Sequence, residues 1–334
     1  MPDTNIKPDP KPDIAAVAAE HPFAQYVRTL GRGPGRSRAL TRDEARIALG
    51  MVLRNEADPY QIGAFLMLLR YRGEDADEIA GLVEAARDAF GAGLPPGCPP
   101  VALDWPSYGA GRTRGAPWFL LSALALAAAG HRVLMHGSNE FTRGTPVTDA
   151  LAALGHPVCT STAAAAQQLD RTNFAYIPLA ALCPGLDALL RLRSLLGLRS
   201  PINTAARLLN PFDAPAGVDG VFHPPYIALH VKGARLLGRQ RLVVVKGGGG
   251  EAERNPAKPM TAHVFDATLG EGELLFPAQN PETGPENLHE IWQTGTGPGA
   301  TIARATIALA LLALGTTTVE SADAQAANIW ATRL

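Results

Sequence analysis

The sequence predicts an α/β protein in two parts, a small helical domain and a larger α/β domain built on a mostly parallel sheet. Three observations carry this. Residues 21–98 read as capped amphipathic helices. Beyond the proline-rich stretch Pro95–Pro100, short apolar strands alternate with helices, the pattern of a parallel sheet covered on both faces. A chain of 334 residues can also bury a core for each part.

The first helix with a clear start opens at Thr41, where Thr41-Arg-Asp-Glu44 forms a capping box, and it runs to about Asn55. Ala45, Ile47, Ala48, Met51 and Val52 make its apolar stripe. Asp58-Pro59 starts a second helix, with proline in the first turn where its missing N–H costs nothing. That helix carries Ile62, Phe65, Leu66 and Leu69 and ends near Gly73; Asp75 caps a third. Pro95–Pro100 stops helix formation and reads as the linker. Val101–Asp104, His131–Met135, Phe174–Pro178 and Arg241–Lys246 read as strands, with further short strands between Ala262 and Leu275. Trp118–Gly130, Asp149–Gly155, Gly185–Leu209 and Ala300–Leu314 read as helices. The resulting organisation is a disordered tail over 1–20, a helical domain over 21–98 plus about 183–209, and an α/β domain over 99–182 plus 210–334.

Composition narrows the class. Hydrophobic residues make up 46% and charged residues 18%, ordinary values for an α/β fold. Cys98, Cys159 and Cys183 are odd in number and scattered, which argues against a disulfide framework or structural zinc and for a reducing cytoplasm. The apolar run Trp118–Gly130 is too short to span a bilayer, so no membrane partner is expected. Charge is unevenly placed. Residues 191–258 hold eleven Lys/Arg against four acids, whereas 259–334 hold two against eight. That asymmetry predicts either a basic face for a polyanion or a solvated surface whose charges cancel on folding.

Leu134-Met-His-Gly-Ser-Asn-Glu-Phe-Thr-Arg-Gly-Thr-Pro-Val-Thr-Asp149, continuing to Gly155, resembles the Lys-His-Gly-Asn … Ser-Ala-Asp-x-Leu-Glu-Ala-Leu-Gly signature of anthranilate phosphoribosyltransferases. Arg193-Ser-Leu-Leu-Gly-Leu-Arg199 … Asn203 … Asn210-Pro211 and Val243–Glu253 resemble two further segments of that family, and Leu40–Ala85 resembles its helical domain. The resemblance implies the fold of the nucleoside phosphorylase/phosphoribosyltransferase class. It also locates a substrate site at Ser107, Tyr108, Gly109, Gly111, His136, Gly137, Ser138, Thr142 and Arg193, the last matching an arginine that grips an aromatic carboxylate.

The polar groups of that site are largely replaced. The family's Gly-Thr-Gly-Gly-Asp phosphate loop, which wraps pyrophosphate with backbone N–H groups, reads Ser107-Tyr-Gly-Ala-Gly111 here. Its Asn-x-Ser-Thr helix start reads Pro117-Trp-Phe-Leu120, which offers no hydroxyl donors. Met135 stands for the lysine, Ser138 for an asparagine and Arg143 for a serine. Of the acidic pair that binds magnesium in the family, only Glu253 remains, beside Ala252. No cofactor is therefore expected, and magnesium only if the chain remains a transferase.

These replacements resemble a YbiB-like branch of the family, which implies a homodimer that binds nucleic acid. Lys232, Arg235 and Arg239 fall at i, i+3 and i+7, on one face of a helix over Ile227–Arg239, and Arg241 follows. Such a face suits phosphate contacts without sequence readout, on single- or double-stranded nucleic acid. Arg112, Arg114 and Arg143 form a second cationic group, with Trp105, Tyr108, Trp118 and Phe141 nearby as stacking or core residues. Phe65, Leu69 and Tyr71 are the expected dimer contact through the helical domain. The sequence favours nucleic-acid binding over the alternative, a transferase using phosphoribosyl pyrophosphate and an unidentified acceptor.

Overall fold

The computed structural model describes residues 20–33, 35–109 and 115–334. The expected tail thus lies outside the described residues except for Glu20. The chain opens with helices α1 (Ala24–Gly31), α2 (Arg42–Leu53), α3 (Pro59–Arg72) and α4 (Ala76–Phe90). The expected capping box forms, with Glu44 N–H donating to Thr41 Oγ1 at 3.2 Å and Thr41 N–H to Glu44 Oε2 at 2.9 Å, and Asp58 with Gln61 makes a second one at the start of α3.

The α/β part then begins with β1 (Leu103–Ser107), α5 (Trp118–Ala128), β2 (Val133–Gly137), α6 (Val147–Ala153), α7 (Thr162–Thr172) and β3 (Phe174–Pro178). Short helices α8 (Leu179–Leu182), α9 (Pro184–Arg191), α10 (Arg193–Leu196) and α11 (Ile202–Arg207) follow. The remainder is β4 (Ala216–Val221), α12 (Tyr226–Leu236), β5 (Arg241–Lys246), β6 (Met260–Asp266), β7 (Gly270–Phe276), α13 (Leu288–Thr294), α14 (Pro298–Leu314) and α15 (Val319–Ala331).

The seven strands order as β3-β2-β1-β4-β5-β6-β7, with β1 to β5 parallel and the β6–β7 hairpin antiparallel at one edge. Successive strand side chains point to opposite faces, and the two cores follow from that. Leu242 and Val244 of β5 join the core shared with the N-terminal helices and α8–α12. Val243 and Val245 join the other, formed with α5, α14 and α15. No single described helix is long and apolar enough to cross a membrane. Helix α14 is apolar because it is buried at nearly every position.

Several expectations are corrected. The helix expected over Gly185–Leu209 is three pieces, broken first at Leu192 and again where Gly197 turns left-handed (φ 71°) and Pro201 follows. Strand β4 carries no strand signal in its residues, since Ala-Gly-Val-Asp-Gly-Val holds an aspartate and two glycines, yet it is central and fully buried. Phe65 and Leu69 cannot form a dimer contact, since both are in the core, Phe65 edge-on to Phe23 at 5.4 Å. Only Tyr71 of that trio is exposed, at 91%.

Candidate functional site

Open α/β sheets bind ligands outside the carboxyl ends of their strands, and here those ends meet the helical layer. Residues from α3, α11, β4 and α12 line a cleft of about 180 Å³. Four guanidiniums crowd this region. Arg70 donates to Tyr226 Oη at 2.5 Å and pairs with Glu74 at 3.4 Å. Arg207 donates to Asp219 Oδ1 at 2.9 Å, and Arg193 lies over the Phe141 ring at 4.6 Å. Arg199 lines the cleft half-buried, and among the described residues no acid or hydrogen-bond acceptor holds its guanidinium. Burial first, then the neighbouring Arg193, Arg207 and Arg70, lower its pKa from the ordinary arginine value. A guanidinium that its surroundings push toward losing its charge gains most from an anion.

The carboxylates around the cleft are already committed. Glu74 accepts from Thr204 Oγ1 at 2.5 Å and from Tyr226 Oη at 3.2 Å. Asp219 is fully buried between Arg207 and His230 Nδ1, the latter at 2.5 Å. Burial pushes its carboxyl pKa up, but His230 and Arg207 outweigh burial and hold it below the ordinary value.

The site expected from the altered signature assembles at the ends of β1 and β2. Tyr108 Oη lies 2.9 Å from His136 Nδ1, and His136 Nε2 lies 3.3 Å from Asp104 Oδ1. His136, expected in the substrate site, is buried and lies between two buried side chains of the neighbouring β1 and its end. Burial raises the Tyr108 phenol well above its usual pKa. Ser107 Oγ donates to Glu251 Oε1 at 3.3 Å, and Thr142 Oγ1 donates to the carbonyl of Gly109 at 3.2 Å. Gly137 ends β2, and Ser138 accepts from Glu140 N–H at 3.4 Å. Gly111, Arg112 and Arg114 lie outside the described residues, and Arg143 is exposed.

At the start of α5, where the family places phosphate-binding hydroxyls, the chain supplies its own carboxylate: Glu253 Oε2 accepts from Phe119 N–H at 3.1 Å. Ala252 is buried and apolar, Glu251 faces Ser107, and no group of three or more His, Cys, Asp or Glu side chains among the described residues could hold a metal. These residues do not fit a protein-held magnesium ion.

The basic helical face does not form as expected. Helix α12 ends at Leu236, Gly238 turns left-handed, and Arg239 swings beneath the sheet. It is 6% exposed, and its Nη2 donates to Asp104 Oδ2 at 2.7 Å while Nη1 donates to the Ala216 carbonyl at 3.3 Å. Lys232 and Arg235 are exposed, but Arg235 pairs with Glu271 and covers the Phe265 ring. Arg241 starts β5 and its guanidinium packs against Gly315, the C-cap of α14, where a cation complements the helix dipole. Much of the charge surplus of 191–258 is thus internal: Arg207, Arg239 and Arg254 are buried on Asp219, Asp104 and Asp323. The sequence reading missed Arg70, Arg199, Arg207, Asp219 and His230. Arg199 alone carried a usable signal, since it sits in the motif that begins at Arg193.

Comparison with known proteins is consistent with this geometry. Residues 24–90 match the helical bundle domain of a glycosyl transferase family, and 119–275 match that family's a/b domain. The chain is 33% identical over 247 residues to the anthranilate phosphoribosyltransferase of Methylobacterium radiotolerans, covering 73% of this chain and 68% of that protein. It is 28% identical over 274 residues to the uncharacterized protein YbiB of Escherichia coli, covering 78% and 85%. Among solved structures, the anthranilate phosphoribosyltransferase of Thermus thermophilus superposes with a TM-score of 0.75 at 22% identity, over 94% of this chain and 95% of that one.

Proposed function

The chain belongs to the glycosyl transferase family built from a helical bundle and an a/b domain, and from that premise we propose that it transfers a phosphoribosyl-type group to an acceptor whose anionic group is received by Arg199. The observation that carries this reading is the half-buried Arg199 guanidinium, set among three other arginines with no carboxylate of its own among the described residues. In the transfer, the bond from the sugar's anomeric carbon to the departing pyrophosphate breaks as the acceptor's lone pair forms the new bond, and the acceptor gives up a proton. Glu74, whose side chain lines the cleft, is our candidate to take it, in exchange for one of its bonds from Thr204 or Tyr226. Arg70 and Arg207 add positive potential, which strengthens an anion's hold in a site partly closed to water.

Relatives named anthranilate phosphoribosyltransferase make an aromatic carboxylate the natural first acceptor class to try. The donor side is rebuilt. A donor phosphate at the start of α5 has to displace Glu253 from Phe119 N–H, so donor binding is expected to be weaker than acceptor binding. Calorimetric titration with anthranilate and with benzoate tests the acceptor site. Binding by the wild-type chain and at least a tenfold loss in Arg199→Gln are expected. Equal affinities for the two proteins would remove the cleft from the reading. Pyrophosphate release from phosphoribosyl pyrophosphate, dependent on the acceptor, then tests transfer itself.

A further inference from the structure

The run Gly247–Gly250 ends β5, and its glycines do not share one reason for being glycine. A Cβ on Gly247 would sit 1.5 Å from the Glu251 carbonyl oxygen, so packing forbids a side chain there. Gly249 and Gly250 have φ of 66° and 84°, a region that L-residues avoid. Gly248 is different. Its φ is not positive, and a Cβ there would meet nothing within 4 Å. Neither conformation nor packing calls for glycine at this position, and a bare backbone facing open space is what close approach of a ligand requires.

The space it faces is a hollow of about 700 Å³ outside the ends of β4 and β5. Lys246 and Lys258 line it, both exposed, and neither is ion-paired among the described residues. Glu253 also lines it, but one of its oxygens is held by Phe119 N–H. Beside the lysines lies an apolar wall of Phe222, Pro224 and Ile227. Phe222 is 46% exposed, and its ring is set edge-to-face on His223 at 4.8 Å. The part of the ring left open to the hollow offers a flat apolar face to a planar group. The Arg199 cleft and this hollow share Phe222 and His223 but no cation.

We propose that this hollow is a second binding site, for a nucleoside 5′-phosphate, with the phosphate on the Gly248 backbone between Lys246 and Lys258 and the base against Phe222. Lysine supplies point charge for a phosphate, the glycine turn supplies backbone N–H groups, and the aromatic ring supplies a face on which any base can stack. The site stands independently of the acceptor reading, because its charged groups are not those of the Arg199 cleft.

The test is calorimetric titration of the full chain with adenosine 5′-monophosphate, ribose 5-phosphate and adenosine. The wild-type chain is expected to bind the nucleotide at least tenfold more tightly than either fragment. Gly248→Val, whose Cβ meets nothing within 4 Å and whose φ is not positive, should keep the wild-type melting temperature and lose at least tenfold in nucleotide affinity. Lys246→Gln with Lys258→Gln should weaken the nucleotide and ribose 5-phosphate alike, and Phe222→Ala should weaken the nucleotide alone. Wild-type affinity in Gly248→Val, or a wild-type chain that holds adenosine as tightly as its monophosphate, would overturn the proposal. Arg199→Gln separates the two readings: loss of nucleotide binding there, with Gly248→Val unaffected, assigns the phosphate to the acceptor cleft and removes the second site.

Discussion

Arg239 and Arg199 are the same residue type on the same basic stretch of chain, and the fold treats them in opposite ways. Arg239 is buried under the sheet with Asp104 against its guanidinium, while Arg199 is left half-buried with other arginines for neighbours. A buried charge with a partner is a structural commitment, and one without a partner is an unfilled valence for a ligand. Counting charges along the sequence cannot distinguish the two, because the partners come from elsewhere: Asp104 lies 135 residues from Arg239.

The comparison can be broken most decisively at Arg239. Arg239→Met removes the guanidinium and leaves the buried Asp104 with His136, 3.3 Å away, as its one ion-pair partner among the described residues. Removing one member of a buried pair costs about 3–5 kcal/mol, and urea unfolding should show a loss of that size. Arg199→Gln has no pair to break, so its unfolding free energy should stay within about 0.5 kcal/mol of wild type. Similar losses in both would erase the distinction between them.

An intermediate effect is expected in acid. Burial pushes the Asp219 carboxyl pKa up, but His230 and Arg207 outweigh burial and hold it below its ordinary value, and the same balance of Arg239 and His136 lowers Asp104. The sign follows from linkage: the unfolded chain takes up these protons first. The stabilisation is complete above the ordinary aspartate value of about 3.9 and is lost as pH falls through the lower native values. Unfolding free energies measured from neutral pH down to about pH 3 should fall steeply at the acid end. The fall should be shallower in Asp219→Asn, which starts less stable. An unchanged acid limb in that variant would mean Asp219 is not one of the titrating groups.

The difference between these arginines also explains what was legible beforehand. Local chemistry was readable: the capping box at Thr41, the helix start at Asp58-Pro59, the β5 run Arg241–Lys246, and the buried helix from Trp118 all formed where the pattern placed them. The fold resemblance rested on motifs such as His136 to Asp149 that lie within one segment, and the superposition agrees with it. What was unreadable depended on partners far along the chain. β4 gave no strand signal because its aspartate is satisfied only after folding, by Arg207 and His230. The helical spacing of Lys232, Arg235 and Arg239 was arithmetically sound, but the helix stops at Leu236 and the last cation turns inward. Likewise Phe65 and Leu69 looked available for a partner chain because the sequence does not show that Phe23 reaches back to cover Phe65.

The smallest expected effect lies on what remains of the basic face. Lys232 and Arg235 are both exposed, and Arg235 is shared between Glu271 and the Phe265 ring. Exposed ion pairs contribute about 0–1 kcal/mol, so Lys232→Glu with Arg235→Glu should shift the unfolding midpoint only slightly. Most of that shift should come from Arg235, where the new carboxylate faces Glu271 and the stem no longer covers Phe265. Neither residue lines the Arg199 cleft, so anthranilate affinity should be unchanged in the double variant at moderate salt, where charges on separate surfaces are screened within about 10 Å. The useful comparison is with Arg199→Gln, measured side by side. If the surface variant lost acceptor affinity as Arg199→Gln does, long-range potential and not a local guanidinium would be what draws the anion. The contrast between a committed cation and an uncommitted one would then have to be redrawn around the field of the whole face.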